Sequence, residues 1–143
     1  MIFKIEVGDL FELKDTHLLV HCISRDCALG AGIASTFKKY YPDLASDLSI
    51  YIKQTNTDRR CLIFKGKVAN LITKERYFNK PTYDDIQLAL DELKQIIINK
   101  GYTKIAMPKI GCGLDNLSWV KVKKMIIQTF NELNIEIIVR VYC

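Results

Sequence analysis

Two glycine-containing stretches hold the residues whose types and spacing are best suited to chemistry. The first, SRDCALGAGIA, spans 24–34, and the second, KIGCGLD, spans 109–115. Glycine has no Cβ, so a ligand can approach the main chain closely, and successive N–H groups in such loops can form a nest for a pyrophosphate. Each loop alone is weak evidence for phosphate binding, because it matches neither the phosphate-loop nor the dinucleotide-binding glycine pattern. Two such loops side by side could hold a diphosphate between them.

A carboxylate and an amine accompany these loops, but their types alone leave their roles open. Asp115 ends the second stretch, where it could act on a bound ligand or, like Asn116, cap a helix that begins near Ser118. Lys74 ends a predicted strand, where a lysine is usually a solvated charge. Spacing alone therefore does not distinguish a catalytic pair from two structural side chains.

The histidines and cysteines indicate packing more than chemistry. His17 and His21 lie four apart on a predicted strand with no third ligand close in sequence, so we expect core or edge positions and no metal site. The five cysteines are odd in number and never form a C-x-x-C pair, which argues against a disulfide framework or a zinc ribbon. We expect reduced thiols, and small-residue packing for Cys22, Cys27 and Cys112.

The hydrophobic pattern, which must position both loops, alternates between strand-like and helix-like segments. Strands are predicted over 2–7, 17–24, 60–74 (two strands joined at 65–67), 104–108 and 135–142. Helices are predicted over 30–42, 43–52, 80–101 and 118–133. This order predicts one α/β domain over 1–143, with a partly parallel sheet covered by helices on both faces.

Length and composition are those of a soluble globular domain. The chain has 143 residues, 49% of them hydrophobic and 26% charged. No apolar stretch approaches the length of a bilayer span, and acids occur within the first dozen residues, so we expect a cytoplasmic protein without a membrane partner. The net charge of +5 comes from dispersed lysines, and it is compatible with a phosphate-bearing ligand, a nucleic acid or solubility alone.

Four segments in order resemble a macrodomain, specifically the branch called terminal ADP-ribose protein glycohydrolase. They are GDLFEL (8–13), HCISRDCALGAGIASTFKK (21–39), LITKERYFNKPTYDDIQLAL (71–90) and MPKIGCGLDNLSW (107–119). The resemblance covers nearly the whole chain and is weakest between about 43 and 62. It implies a three-layer α/β/α fold with a mixed central sheet, an ADP-ribose cleft across the loops, and no cofactor.

The resemblance also implies where the ligand would bind. In the family, the residue at Asp9 holds the adenine amine with Leu10 beside it, Ser24 and 30–34 form the first ligand loop, and 109–115 form the second. The positions implied to bind ligand are Asp9, Leu10, Ser24, Gly30, Ala31, Gly32, Ile33, Ala34, Thr73, Lys109, Ile110, Gly111, Cys112, Gly113, Leu114 and Tyr142.

The catalytic roles implied by the resemblance belong to Lys74 and Asp115. Lys74 would attack the anomeric carbon of the distal ribose, and Asp115 would assist and then resolve the lysine-bound intermediate. The first loop has no Asn, unlike that of other hydrolytic macrodomains, which favours the lysine route. Because a carboxylate is a good leaving group, the implied substrate is mono-ADP-ribose on Glu or Asp side chains, with deacylation of O-acetyl-ADP-ribose as a further activity.

Two alternatives remain at this stage. A reader domain would bind ADP-ribose without turnover, but the presence of both Lys74 and Asp115 argues against it. An antitoxin-like enzyme would remove ADP-ribose from DNA, and the positive charge leaves this open. The expected partners are therefore ADP-ribose and an ADP-ribosylated protein, with ADP-ribosylated DNA as the alternative. We expect a monomer, and a nuclear setting would also suit a eukaryotic source.

Overall fold

The computed structural model describes residues 1–142, so Cys143, the fifth predicted thiol, lies outside it. The strands are β1 (Ile2–Val7), β2 (Leu18–Ser24), β3 (Cys61–Phe64), β4 (Val68–Lys74), β5 (Lys104–Met107) and β6 (Glu136–Val141). The helices are α1 (Ile33–Tyr40), α2 (Leu44–Thr55), α3 (Tyr83–Lys100) and α4 (Trp119–Phe130), with a 3₁₀ helix at Leu10–Leu13. Each predicted strand and helix is present, but residues 30–32, predicted as helix, form the loop before α1, and residue 17, predicted as strand, precedes β2. The 3₁₀ helix was not predicted.

The six strands form one mixed sheet in the order β1-β6-β5-β2-β4-β3. All neighbouring strands are parallel except β3 and β4, which form a hairpin. The hairpin turns through residues 65–67, in which Lys65 (φ +51°) and Gly66 (φ +70°) are both left-handed, as the two central residues of a type I′ turn must be. The carboxyl ends of β1, β2, β4, β5 and β6 lie at one edge of the sheet, so the loops that follow them meet there.

Helices cover both faces of the sheet, which confirms the three-layer α/β/α architecture. Alternate residues of β2 face opposite layers: Val20 packs in the core formed with α3 and α4, and Leu19 packs in the core formed with the 3₁₀ helix, α1 and α2. This explains why β2 reads as a continuous apolar run. Within residues 1–142, no helix combines the length and apolar character that crossing a bilayer requires.

Helix α3 begins and ends at the signals that the sequence carries. Thr82 is its N-cap, and a reciprocal capping box joins Thr82 to Asp85. Gly101 ends the helix in the left-handed conformation, with a φ of +76°. The capping box fixes the point at which the chain leaves the loop after β4, so that loop has a defined position at the carboxyl edge.

Candidate active site

The structure brings Lys74 and Asp115 together at the carboxyl edge of the sheet. Lys74 is the last residue of β4, and Asp115 lies in the loop between β5 and α4. The two residues are 41 positions apart in the chain, yet Lys74 Nζ lies 2.8 Å from Asp115 Oδ1. Their side chains are 17% and 14% exposed, so the pair is largely shielded but still reachable from solvent. An amine and a carboxylate in this contact can exchange a proton directly.

Asp115 does not cap helix α4. The N-cap of α4 is Ser118, which makes no side-chain capping bond, and its main-chain N–H donates to the Tyr83 hydroxyl at 2.9 Å. The loop is instead anchored by the segment that follows β4, because Lys80 Nζ donates to the main-chain oxygen of Leu114 at 2.6 Å. The residue next to Asp115 is thus tied to the loop that follows Lys74.

The two glycines of the loop after β5 have different structural roles. Gly111 has a φ of +72°, and a Cβ there would lie 3.1 Å from Leu117 Cδ1 and 3.3 Å from Ile86 Cδ1. Gly111 is therefore required by the turn and by the packing beneath it. A Cβ on Gly113 would meet no atom within 4 Å, so the surface of this residue is open to an incoming ligand.

The loop after β2 lies against the loop after β5. Gly32 has a φ of +61° and precedes α1, whose N-terminus has no side-chain cap. A Cβ on Gly32 would lie 3.8 Å from Leu114 Cδ1, so the two glycine loops approach each other at this point. Gly30, Ala31 and Gly32 are exposed. Exposed main-chain N–H groups at a helix N-terminus favour an anion such as phosphate.

Asp26 joins the first ligand loop to the loop after β4, a role that the sequence analysis missed. The buried Ser24 donates its hydroxyl to Asp26 Oδ1, and the Tyr77 N–H donates to Asp26 Oδ2 at 3.0 Å. Partial burial acts to raise the pKa of Asp26, but hydrogen bonds from Ser24, Tyr77 and Ala28 lower it overall. The Ser-x-Asp pattern, typical of a side-chain-stabilised turn, is a sequence signal that could have identified this residue.

Asp9 and Tyr142 lie together at the opposite end of the carboxyl edge. Asp9 caps the 3₁₀ helix, because its Oδ1 accepts from the Phe11 N–H at 3.0 Å, and the Tyr142 hydroxyl donates to the same oxygen at 3.1 Å. Burial, followed by the hydrogen bond to Asp9, raises the pKa of Tyr142. The hydroxyl therefore stays protonated and continues to donate to the carboxylate at neutral pH.

Arg140 supports Asp9 from β6 and was not predicted from the sequence. Its Nη1 donates to the Asp9 main-chain oxygen and to Glu12 Oε1, both at 3.0 Å, and its Nε donates to Glu6 Oε1 at 3.0 Å. A Cβ on Gly8, whose φ is +153°, would lie 2.9 Å from Arg140 Nη1. Gly8 is the one sequence signal for this contact, because it allows the guanidinium to lie against the main chain.

Several predicted ligand positions have side chains that face the interior or another residue. Leu10, Thr73 and Ile110 are buried in the core. Lys109 Nζ lies 5.8 Å from the ring centroid of Trp119, a cation–π contact. The three buried residues can therefore meet a ligand only through their main chain or after a side-chain movement, whereas Lys109 is exposed. Ile33, Ala34 and Cys112 are half-buried, whereas Leu114 is exposed.

The buried His21 ring and the partly buried Cys22 thiol, both near the site, are uncharged at neutral pH. Burial lowers the pKa of His21 to about 4, and the ring stacks on Phe37 and contacts Asn70. Burial and the Asp115 carboxylate raise the pKa of Cys22 to about 12. Among residues 1–142, no three His, Cys, Asp or Glu side chains are grouped as a metal ion requires.

Comparison with known proteins identifies the class and then the family. No family model matches the chain. The macrodomain of Mycobacterium tuberculosis DarG superposes with a TM-score of 0.88 at 22% identity, covering 97% of both chains, so the fold is that of a macrodomain. The chain is 41% identical over 135 residues to ADP-ribose glycohydrolase OARD1 of Homo sapiens, covering 92% of this chain and 86% of that protein. The chain belongs to the OARD1 family of macrodomains.

A more distant relative has a different named substrate. The DNA ADP-ribosyl glycohydrolase of Mycobacterium tuberculosis is 25% identical over 134 residues, covering 88% of this chain and 38% of that protein. Both relatives are named as glycohydrolases of ADP-ribose compounds, and the chain is considerably more similar to OARD1.

Proposed function

We propose that this protein is an ADP-ribose glycohydrolase that removes mono-ADP-ribose from Glu and Asp side chains, with Lys74 as nucleophile and Asp115 as its proton-transfer partner. The observation that carries the proposal is the 2.8 Å contact between Lys74 Nζ and Asp115 Oδ1 at the carboxyl edge. The 41% identity to OARD1 supports the ADP-ribose substrate. We expect a monomer that acts in the cytoplasm.

The strand order supports one direction for the ligand. Asp9 follows β1, the glycine loops follow β5 and β2, and Lys74 ends β4. From β1 to β4 the order spans four strand spacings of about 4.8 Å, or roughly 19 Å, a distance suited to an extended dinucleotide-sized ligand. In our proposal the adenine lies at Asp9, the diphosphate at the glycine loops and the N-terminus of α1, and the distal ribose at Lys74.

The chemistry follows from the ion pair. Asp115 accepts a proton from the Lys74 ammonium, and the free amine attacks the anomeric carbon of the distal ribose. The new C–N bond forms as the C–O bond to the protein carboxylate breaks, and the carboxylate leaves with the electron pair. Asp115 returns its proton to the departing carboxylate. The ring C–O bond of the adduct then breaks, and its oxygen takes a proton from the lysine nitrogen, which leaves a Schiff base. Asp115 assists a water molecule that hydrolyses this C=N bond, releases ADP-ribose and restores the amine. Release of acetate from O-acetyl-ADP-ribose would follow the same steps when the acetyl group is on the anomeric oxygen, because acetate then takes the place of the protein carboxylate as leaving group.

Removal of ADP-ribose from DNA is the second candidate function. The 25% identity to the DNA ADP-ribosyl glycohydrolase supports it. Tyr77 and Phe78, three and four residues after Lys74, are 66% and 67% exposed and contact each other edge to face. Exposed aromatic rings can stack on the bases of single-stranded DNA.

Release of free ADP-ribose from two substrates tests both candidates. The wild type, Lys74→Ala and Asp115→Asn would each be incubated with Glu-linked ADP-ribosylated peptide and with ADP-ribosylated oligonucleotide, and Lys65→Ala, an exposed lysine on the β3–β4 turn, serves as the control. We expect release mainly from the peptide, lost in the first two variants and retained in the control. Binding of ADP-ribose by the wild type without release would identify a reader, and release only from the oligonucleotide would favour the second candidate.

A further inference from the structure

A polar groove lies beyond Lys74, on the side away from Asp9. Its volume is about 660 Å³, and its walls come from the segment 56–60, the first residues after β2 and β4, and the start of α3. The lining residues on which its chemistry depends are Arg25, Asp58, Arg60, Lys74, Lys80 and Asp85. Because Lys74 lines the groove and also contacts Asp115, the groove adjoins the candidate catalytic pair.

The position of the groove defines what it can hold. Segment 56–60 leads into β3, which is the edge strand next to β4. A ligand with its adenine at Asp9 and its distal ribose at Lys74 occupies the carboxyl edge of the sheet from β1 to β4. The substituent on the anomeric carbon, which is the leaving group, is then left to extend toward the β3 side.

We propose that this groove binds the polypeptide that carries the ADP-ribose. This inference rests on the proposed function, since it assigns the acceptor side of the same reaction. The modified Glu or Asp side chain would enter beside Lys74, and the flanking residues would lie along segment 56–60. When the C–O bond breaks, the negative charge develops on the departing carboxylate beside Lys74, and Lys80 is a second cationic residue that lines the groove.

The walls of the groove are held in place before any ligand binds. Arg25 donates to the main-chain oxygens of Thr57 and Arg59 at 2.9 and 3.1 Å, which ties segment 56–60 to the end of β2. Glu92 of α3 accepts from the main-chain N–H of Arg60 at 2.8 Å. A site whose walls are already ordered loses less conformational entropy on binding.

The charges of the groove favour a polypeptide over a nucleic acid. Both lining guanidinium groups are already paired, Arg25 with Glu75 at 2.9 Å and Arg60 with Asp85 at 3.0 Å. A phosphate backbone is bound chiefly by basic side chains that face it, and acidic groups repel it. Amide, hydroxyl and charged groups of both signs, as found here, suit the peptide groups and side chains of a polypeptide.

A groove-filling substitution tests the proposal. Asp58 is exposed and lies in the groove wall, so Asp58→Trp should obstruct the groove, and Asp47→Trp, at an exposed position on α2, is the matched control. The substrates are a Glu-linked ADP-ribosylated peptide and O-acetyl-ADP-ribose with its acetyl group on the anomeric oxygen, so that the leaving group is acetate alone. We expect Asp58→Trp to raise the ratio of the peptide KM to the O-acetyl-ADP-ribose KM at least tenfold. The control variant should leave this ratio unchanged.

The outcomes distinguish failure of the groove assignment from failure of the proposed function. If the wild type turns over both substrates and Asp58→Trp changes both KM values equally, or neither, the groove assignment is wrong while the proposed function stands. If the wild type turns over neither substrate, the proposed function fails and this inference fails with it. Slower release from an ADP-ribosylated oligonucleotide, with peptide turnover intact, would assign the groove to DNA and overturn the proposal.

A second variant keeps the test decisive if the tryptophan variant does not fold. Asp58→Lys adds positive charge to the same wall and fits an exposed position. With a peptide whose residues around the modified Glu are acidic, we expect its KM to fall several-fold below that of the wild type at low salt, and the difference to shrink at high salt. An unchanged KM for this peptide would contradict binding in the groove.

Discussion

The two glycines of the loop after β5 allow a matched pair of substitutions with opposite expected effects. Gly111 has a φ of +72°, and an added Cβ would lie 3.1 Å from Leu117 Cδ1 and 3.3 Å from Ile86 Cδ1. Alanine in the left-handed region costs about 1–2 kcal/mol. Overpacking adds about 1 kcal/mol, the low end of the usual range, because both neighbours are side-chain tips. Gly111→Ala should therefore lower the free energy of unfolding by about 2–3 kcal/mol.

Gly113→Ala should leave stability nearly unchanged and affect the ligand instead. The φ of Gly113 is not positive, and a Cβ there would meet no atom within 4 Å. We expect its free energy of unfolding to stay within about 0.5 kcal/mol of the wild type. If the main chain at this position lies against ADP-ribose, loss of about 1.4 kcal/mol of binding free energy would raise Kd about tenfold.

Thermal unfolding without ligand and calorimetric titration with ADP-ribose measure these two effects separately. For a chain of this length, 1 kcal/mol corresponds to about 3 °C, so Gly111→Ala should lower Tm by roughly 6–9 °C and Gly113→Ala by no more than about 2 °C. Equal losses of Tm in the two variants, or undiminished ADP-ribose affinity in Gly113→Ala, would refute the reasoning.

Three further predictions concern buried charge, loop position and the adenine end. Lowering the pH from 6.5 to 4 should reduce the free energy of unfolding by about 3 kcal/mol through His21. Burial lowers the pKa of the folded ring to about 4, so over this range the unfolded state binds a proton that the folded state does not. Urea unfolding of the wild type and of His21→Gln at both pH values isolates the effect. Lys80→Ala should lower kcat several-fold by freeing the loop that carries Asp115, with partial recovery in Lys80→Arg, and an unchanged kcat would contradict this. Arg140→Leu should raise Kd for ADP-ribose about tenfold by removing a charged hydrogen-bond donor from the Asp9 main chain, as measured by calorimetry.

Much of the fold could be predicted because burial of one or both faces of a strand or helix determines the spacing of its apolar residues. The apolar run at 17–24 correctly predicted a central strand, and the capping residues of α3 lay near the predicted ends. The 3₁₀ helix Leu10–Leu13 was missed, because four residues are too short to show a helical period. Residues 30–32 were predicted as helix but form the loop before α1, since Gly32 has a φ of +61°.

The site was less accessible to prediction, because its contacts join residues that are distant in the chain. Lys74 and Asp115 were singled out by the resemblance alone, since neither the type nor the position of either residue shows that they meet. Arg140 contacts Asp9 from 131 residues away, and nothing in the pattern of β6 marks it. Asp26 had a local turn signal, but its contact with Tyr77 depends on the pairing of β2 with β4.

Trapping of the lysine adduct tests the central claim most directly. The wild type would be incubated with Glu-linked ADP-ribosylated peptide, reduced with borohydride and digested, and the modified residue would be located by mass spectrometry. We expect the mass increment of a reduced ADP-ribose on Lys74, and no increment in Lys74→Arg. ADP-ribose release that persists in Lys74→Ala, or an adduct on another lysine, would contradict the account.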